Sequence, residues 1–544
     1  MTNKGQILRS ASVIATVTVI SRICGYLRDQ RVALLLGTSP AADSFILAFG
    51  IPSLIRRMAS EGSLGGSVIP VFTDYLHNRP RQEAWKLAQR LFWNMAVCLA
   101  LLAILAVVFS RQVIYVYTVF SSHQAHWDLA IYLNRIIFPG VFFIGLAAMA
   151  AAFLNSFRVF GLPAATPIFF NLIFIAFSTA VIYRPILAWV PETYRTPATA
   201  LAFGVLIGGA VQLAMQIPAL MRRGMSFTPE VSVSDPGVRK VGRLMAPAFF
   251  GMGVYQINVF VDRIFATSPR MPSGSITSLY VADRLMQLVL GSYAIAMSTA
   301  ILPAMSHQLA AGKWDEVKRT FGFSIRIVSF ITVPAAVGLI LLRRPIVQVL
   351  FQHGRFMSES TSLTAHALFF YALGLPAFAA IKMITPMYYS THDTWTPARV
   401  GAWALGMNVV FNAAFLLFFY RSLSNGGPAL ASSLAAYFNF AALFLLFRKR
   451  YGGLGARGLA ASLLRIAVCA TAMAAVSYAG LHFANFSAES RILAQAAWLT
   501  ALILASAVAY FGLAWLLRCE ELSEFLLLLR RAEPGTAPLA ASEV

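Results

Sequence analysis

Four arginines stand where a bilayer would be expected to meet only apolar side chains. Arg22 and Arg28 fall in the first apolar stretch, Arg56 in the second and Arg284 in a later one near residue 290. A charge at the centre of a membrane helix carries an insertion penalty of about 3 kcal/mol, so such residues face a cavity and usually have a task. On the first stretch Arg22, Gly25 and Asp29 share a helical stripe, with Arg28 about a third of a turn away. On the second, Asp43 sits near the outer end, while Arg56, Arg57 and Glu61 follow Pro52 toward the inner end. Asp283 precedes Arg284, whose stripe also carries Tyr280, Gln287 and Gly291, and Lys382 lies within a further apolar stretch. Snorkelling anchors and internal pairs such as Arg57 with Glu61 at i,i+4 are the plainest account of these charges. Four arginines on three helices exceed the nearby carboxylates, however, and an excess of buried guanidinium asks for an anion. Arginine stays charged and offers a planar fork of donors, so a phosphate or pyrophosphate is the natural counter-charge.

The elements that must position these residues are membrane helices. Of 544 residues 58% are hydrophobic and 12% charged, too little polar surface for a water-soluble globule. Continuously apolar runs recur along the chain, which favours helices over the alternating strands of a barrel. We read an all-α polytopic membrane protein of about fourteen transmembrane helices, centred near residues 23, 50, 98, 145, 172, 209, 255, 290, 330, 373, 409, 438, 470 and 504. The first stretch lacks a cleavage site and is expected to stay as the first span. Cys24, Cys98, Cys469 and Cys519 are scattered without metal spacing, so free thiols and no metal are expected of them. The net charge of +22 is sorted by side: Arg79/Arg81/Lys86/Arg90, Arg222/Arg223/Arg239/Lys240/Arg243, Lys313/Lys318/Arg319 and Arg448/Lys449/Arg450/Arg457 all fall in inward loops. That distribution puts both termini in the cytoplasm and removes the case for a nucleic-acid partner.

The chain repeats weakly at an offset of about 234 residues, six spans per copy. Ile69-Pro70, Leu76, Glu83 and Lys86 align with Leu302-Pro303, Leu309, Glu316 and Arg319, and Asn155 to Ala164 aligns with Tyr389 to Ala398. The expected organisation is an N-terminal six-helix lobe over 1–225, a C-terminal six-helix lobe over 226–450, two appended helices over 451–518 and a cytoplasmic tail over 519–544. Two parallel lobes around a central cationic cavity are a transporter plan, worked by rocking one lobe against the other.

These residues also carry a resemblance. Ser21-Arg22-Ile23-Cys24-Gly25-Tyr26-Leu27-Arg28-Asp29 is similar to the SR-x-x-G-x-x-RD signature of the MurJ (MviN) lipid II flippases of bacteria. Ala42-Asp43-Ser44-Phe45 through Arg56-Arg57-Met58-Ala59-Ser60-Glu61-Gly62 looks like their second-span motif, and Ala282 to Met286 and Leu350 to Phe356 look like two later ones. The resemblance implies transport of lipid II, an undecaprenyl-pyrophosphate bearing the peptidoglycan disaccharide-pentapeptide, from the cytoplasmic to the periplasmic leaflet of the inner membrane. It implies that Arg22, Arg28, Arg56 and Arg284 match required cavity arginines and that Asp43 is a further required acid. It also implies a groove for the polyprenyl tail on the appended helices, with lipid II and membrane lipids as partners and cell-wall synthesis enzymes as further candidates. The chain departs from the pattern at Gln287, where an acid is common, and at Gly50 and Ser53, where Lys and Asn are found.

No Gly-rich GK[ST] loop is present, so a nucleotide is not expected to drive transport. Asp262, with Asn408 and Asn412 one turn apart, offers oxygen ligands of the type that hold sodium in some relatives, and no other cofactor is expected. The competing account pairs Asp262 with Arg263 and uses the Asn side chains between helices. Among other functions, a drug-cation antiporter is disfavoured by the arginine excess, and a flippase of another undecaprenyl-pyrophosphate-linked oligosaccharide fits the charges equally well. An enzyme would want a nucleophile, a general base or metal carboxylates that no motif here supplies.

Overall fold

The computed structural model describes residues 3–58, 64–121, 127–179, 188, 190–391, 393–452, 456–483 and 492–531, and among them no strand occurs. This suits a chain that must satisfy its backbone hydrogen bonds without water, since a helix does so within itself. In chain order the helices begin α1 (Asn3–Leu36), α2 (Pro40–Met58), α3 (Leu64–Asn78), α4 (Arg81–Val108), α5 (Ser110–Tyr117), α6 (Asp128–Ile137), α7 (Pro139–Ser156), α8 (Gly161–Phe177), α9 (Pro197–Ala214), α10 (Ile217–Met221) and α11 (Pro236–Ala266). They continue with α12 (Ser275–Ala310), α13 (Trp314–Leu341), α14 (Arg343–Phe351), α15 (Ser358–Ser390), α16 (Trp395–Phe418), α17 (Tyr420–Leu423), α18 (Gly426–Tyr451), α19 (Ala456–Phe483), α20 (Ile492–Leu516) and α21 (Glu520–Arg531).

Nine segments among the described residues are long and apolar enough to cross a bilayer: α4, α6 with α7, α9 with α10, α13, α15, α16, α18, most of α19, and α20. Two shorter apolar helices lie at Pro40–Leu54, within α2, and at α8. The expected span centres near 23, 255 and 290 fall in α1, α11 and α12, which are 34, 31 and 36 residues long and carry the charges that sequence analysis singled out.

The repeat is visible in the elements. Both α4 and α13 have 28 residues and stop at one residue of similar backbone, Phe109 (φ −95°) and Leu342 (φ −92°), before a short helix of 8 or 9 residues. These pairs stand at the offset read from the sequence.

The chain forms two compact units, Met1–Thr277 with His353–Ser360, and Ser278–Gln352 with Thr361–Val544. In the first, α3, α4 and α7 close on Phe72, whose ring meets Trp85 at 5.9 Å and Phe153 at 5.1 Å, while Trp85 stacks on Phe157 at 5.3 Å. Hydrocarbon gives little drive for helices to associate, so close approach must come from small residues. Gly204 and Gly208 of α9 supply it, since a Cβ there would lie 3.3 Å from Phe174 Cα and 3.2 Å from the Phe170 carbonyl of α8. Helix α8 is thereby seated to receive α1 on its other side. The loop ahead of α11 is strapped to α4: Gln89 donates to the Ser226 carbonyl, Asn94 to that of Ser232, and Arg90 pairs with Glu230 and Asp235. In the second unit α16 packs on α18, and α19 packs on both α13 and α20. Tyr510 of α20 donates to the Phe330 carbonyl of α13 at 2.7 Å, and Arg326 of α13 pairs with Glu520 of α21 at 2.9 Å.

Candidate functional site

The α1 signature is read by α8. Ser21, Gly25 and Arg28 recur at i, i+4 and i+7, one face of a helix. Gly25 leaves that face shallow, so Asn171 of α8 comes within 3.7 Å of where a Cβ would be and its Nδ2 lies 3.5 Å from the Ser21 carbonyl. Arg28 is buried beside it. Its Nε and Nη2 donate to Asp29 Oδ1 at 3.0 and 2.7 Å, its Nη1 donates to Asn171 Oδ1 at 3.2 Å, and its guanidinium lies 5.9 Å from the Phe174 ring centre. The fork is therefore held planar and aimed by three neighbours, with Asp29 as its counter-charge. Arg22 and Arg31 are exposed on the same helix.

Asp43 has a different task. From the first turn of α2 its Oδ2 accepts from Gly274 N at 2.9 Å, and its Oδ1 accepts from Thr277 N and Thr277 Oγ1 at 2.8 and 2.6 Å. These are the leading amides of α12, which have no partner within their own helix and carry the positive end of its dipole. Around this cap the backbones close further. Arg355 N donates to the Leu34 carbonyl at 2.9 Å, and the Thr38 and Ser360 hydroxyls lie 2.7 Å apart. Gly37, Gly274 and Gly354 have φ of 59°, 84° and 60°, and a Cβ on any of them would run into the backbone of Arg355, Thr38 or Leu34. Together these contacts form a latch joining the α1–α2 corner to the start of α12 and to His353–Ser360.

In the second unit Arg284 of α12 is half-buried and turns its fork to Tyr280 one turn earlier, with Nη2 at 3.2 Å from the phenol oxygen and the guanidinium 5.2 Å from the ring centre. Gln287 donates to Asp283 Oδ2 at 2.6 Å, so the amide that departs from the expected acid relieves Asp283 of a like charge. Lys382 is half-buried on α15. Asn412 Nδ2 donates to the carbonyl and to Oδ1 of Asn408, at 3.1 and 3.3 Å, and Asn408 Nδ2 donates to Ser432 Oγ of α18 at 3.3 Å. The pair thus knits α16 to α18. Asp262 is buried on α11 in the first unit, and no group of three or more His, Cys, Asp or Glu side chains placed to hold a metal occurs among the described residues. Arg56 and Arg57 end α2, but their side chains, like the whole of Glu61, lie outside the described residues.

Two participants escaped sequence analysis. Asn171 has no local signal beyond being an amide in an apolar run. Arg263 reads in the sequence only as a partner for Asp262, whereas its guanidinium occupies the space beside Gly50: a Cβ on Gly50 would lie 2.9 Å from Arg263 Nη1 and 2.8 Å from the Tyr117 hydroxyl. A cation from α11 thus fills the space that Gly50 leaves open on α2.

The family described as lipid II flippase MurJ matches residues 32–511, from within α1 to within α20. This chain belongs to the MurJ family. A relative from Vibrio cholerae, named a probable lipid II flippase MurJ, is 34% identical over 448 residues, covering 81% of this chain and 82% of the relative. The MurJ fold is equally plain: a solved structure of lipid II flippase MurJ in an inward closed conformation is similar with a TM-score of 0.73, at 24% identity over 95% of this chain and 99% of the other. A multidrug resistance MATE family transporter of the MOP superfamily, inward-facing, shares the fold at a TM-score of 0.64 and 15% identity, over 82% and 98% of the two chains. MurJ membership includes the Asp43, Arg284 and Leu350–Phe356 motifs, whereas the Ser21–Asp29 signature lies ahead of the matched residues.

Proposed function

We propose that this protein moves lipid II from the cytoplasmic to the periplasmic leaflet of the bacterial inner membrane by alternating access, with both termini cytoplasmic. The observation that carries this reading is the MurJ family match across residues 32–511. The chemistry of the site supports it. A pyrophosphate needs bidentate donors in a place that water does not fill, and Arg28 and Arg284 are guanidinium groups already aimed by packing. Arg28 rests on Asp29, so an arriving pyrophosphate competes with that carboxylate for the guanidinium donors. No covalent bond is made or broken; the transfer is a change of leaflet. The latch gives alternating access something to open. Releasing the headgroup on the far side requires Asp43 to leave the α12 amides and the Thr38–Ser360 and Leu34–Arg355 contacts to part.

The test is reconstitution of the full chain into proteoliposomes loaded with lipid II, with the labelled headgroup scored by its access to an impermeant probe. Time-dependent transfer is expected for lipid II and not for undecaprenyl-pyrophosphate bearing an unrelated oligosaccharide. Equal transfer of both would assign the protein to lipid-linked oligosaccharides generally, and transfer of neither would reject the proposal.

A further inference from the structure

The first repeat copy leaves open a surface that the second copy covers. In the second copy Leu342, between α13 and α14, is 2% exposed because α20 lies over it: Leu342 packs with Leu499 and Leu502, and Gln348 of α14 donates to Gln495 at 3.3 Å. Among the described residues no such helix lies over the corresponding junction between α4 and α5, and Phe109 is 49% exposed. Below it, Val97, Leu101, Ile104 and Val108 project from α4 at i, i+4, i+7 and i+11, all more than half exposed, an apolar stripe that hydrocarbon must cover.

At the end of this stripe is a half-open cavity of about 190 Å³. Buried Ile114 and Thr118 form its floor, and Thr118 Oγ1 is already satisfied by the Ile114 carbonyl. Arg111, Tyr115, Trp127 and Asp128 stand around it. The Trp127 ring is fixed by a bond from Nε1 to Ser121 Oγ at 3.0 Å. Among the described residues Arg111 and Asp128 line one cavity, yet they make no ion pair with each other or with any other side chain. One cation, one carboxylate and an aromatic wall above an acyl-wide apolar stripe are the complement of a lipid whose headgroup carries both signs.

We infer that this cavity binds the headgroup of a zwitterionic aminophospholipid, its phosphate on Arg111, its primary ammonium on Asp128 against the Trp127 ring, and an acyl chain along the α4 stripe. A carboxylate takes hydrogen bonds from a primary ammonium and cannot take them from a quaternary one, so the site prefers ethanolamine over choline. An anionic glycerol headgroup leaves Asp128 facing a like charge. The inference rests on the membrane placement of α4 and is independent of what the protein transports.

The test is native mass spectrometry of the full-length protein after delipidation and exchange with phosphatidylethanolamine, phosphatidylcholine or phosphatidylglycerol of identical chains. Phosphatidylethanolamine is expected to be retained about tenfold better than either, Arg111→Gln to lose that retention, and Asp128→Asn to bind all three alike, each by about the factor one charge-assisted hydrogen bond supplies. Both positions lie at the protein surface, and unchanged melting of the variants certifies the fold. Phosphatidylethanolamine with brominated chains is expected to quench the fluorescence component lost in Trp127→Phe. Equal retention of the three lipids, unaltered binding in both variants, or a protein found seated on this face without lipid preference would overturn the inference.

Discussion

At the scale of single residues, the account turns on Arg28, whose guanidinium is aimed by Asp29, Asn171 and Phe174. Arg28→Ala is expected to abolish transfer of lipid II in proteoliposomes while leaving insertion intact, and to lower the melting temperature because a buried ion pair loses one partner. Arg28→Lys keeps the charge but loses the planar fork, and is expected to restore about a tenth of the rate or less. Full transfer by the alanine variant would remove Arg28 from the anion site. Contacts within one helix were partly legible in the sequence: spacing puts Tyr280 against Arg284, whereas Arg28 and Asp29 are neighbours in sequence, about a third of a turn apart, and spacing does not pair them. Contacts across the chain were not. Nothing local announces that Asn171 will meet a residue 143 positions away, or that Gly50 is small because Arg263 fills its place. Asp43 was legible as an unusual intramembrane acid, while its use as a cap for α12 depends on a fold that spacing cannot supply.

Among the elements, the latch is the most direct object of experiment. The Thr38 and Ser360 hydroxyl oxygens are 2.7 Å apart, so Thr38→Cys with Ser360→Cys is expected to form a disulfide on oxidation, to halt transfer, and to recover on reduction. Asp43→Ala removes the acceptor for two helix-end amides and is expected to lower the yield of that crosslink, because the cap contributes about 1–2 kcal/mol to keeping the corner shut. Crosslinked protein that still transports would show that the latch need not open. The strap ahead of α11 gives a pH prediction. Burial would raise the Asp235 carboxyl, but the bonds from Arg90 and from the Val238 and Gly237 amides outweigh it and hold the group below the ordinary carboxylate range. Its folded value lies under the unfolded value of about 3.9, so its contribution is full above that pH and is lost as acid carries the protein through the lower value. Amide exchange at Gly237 and Val238 is expected to stay slow from neutral pH down to about 5, to rise in stronger acid, and to be fast already at neutral pH in Asp235→Ala, which removes the accepting oxygen. Helix positions themselves were largely legible: every expected span centre lies within a helix. The short helices α5 and α14 were not, since a one-residue break leaves apolar periodicity almost unchanged.

For the whole molecule, the question is what drives the cycle. Carrying a pyrophosphate outward moves negative charge toward the positive side of the membrane, and each elementary charge is worth about 2.3 kcal/mol per 100 mV. The emptied cationic site is drawn back by the same field, so the potential favours both halves of the cycle. Collapsing the membrane potential at constant pH gradient is expected to stop transfer. If sodium at Asp262, Asn408 and Asn412 is the driver, transfer instead follows the sodium gradient and fails in Asp262→Ala at normal potential. The central claim, that this chain is what carries lipid II across the membrane, is tested most directly in cells depleted of it and lacking any other flippase, by measuring how much lipid II an impermeant probe can reach on the periplasmic face. The accessible fraction is expected to fall toward zero while total lipid II accumulates. An accessible fraction that stays at its original level would contradict it.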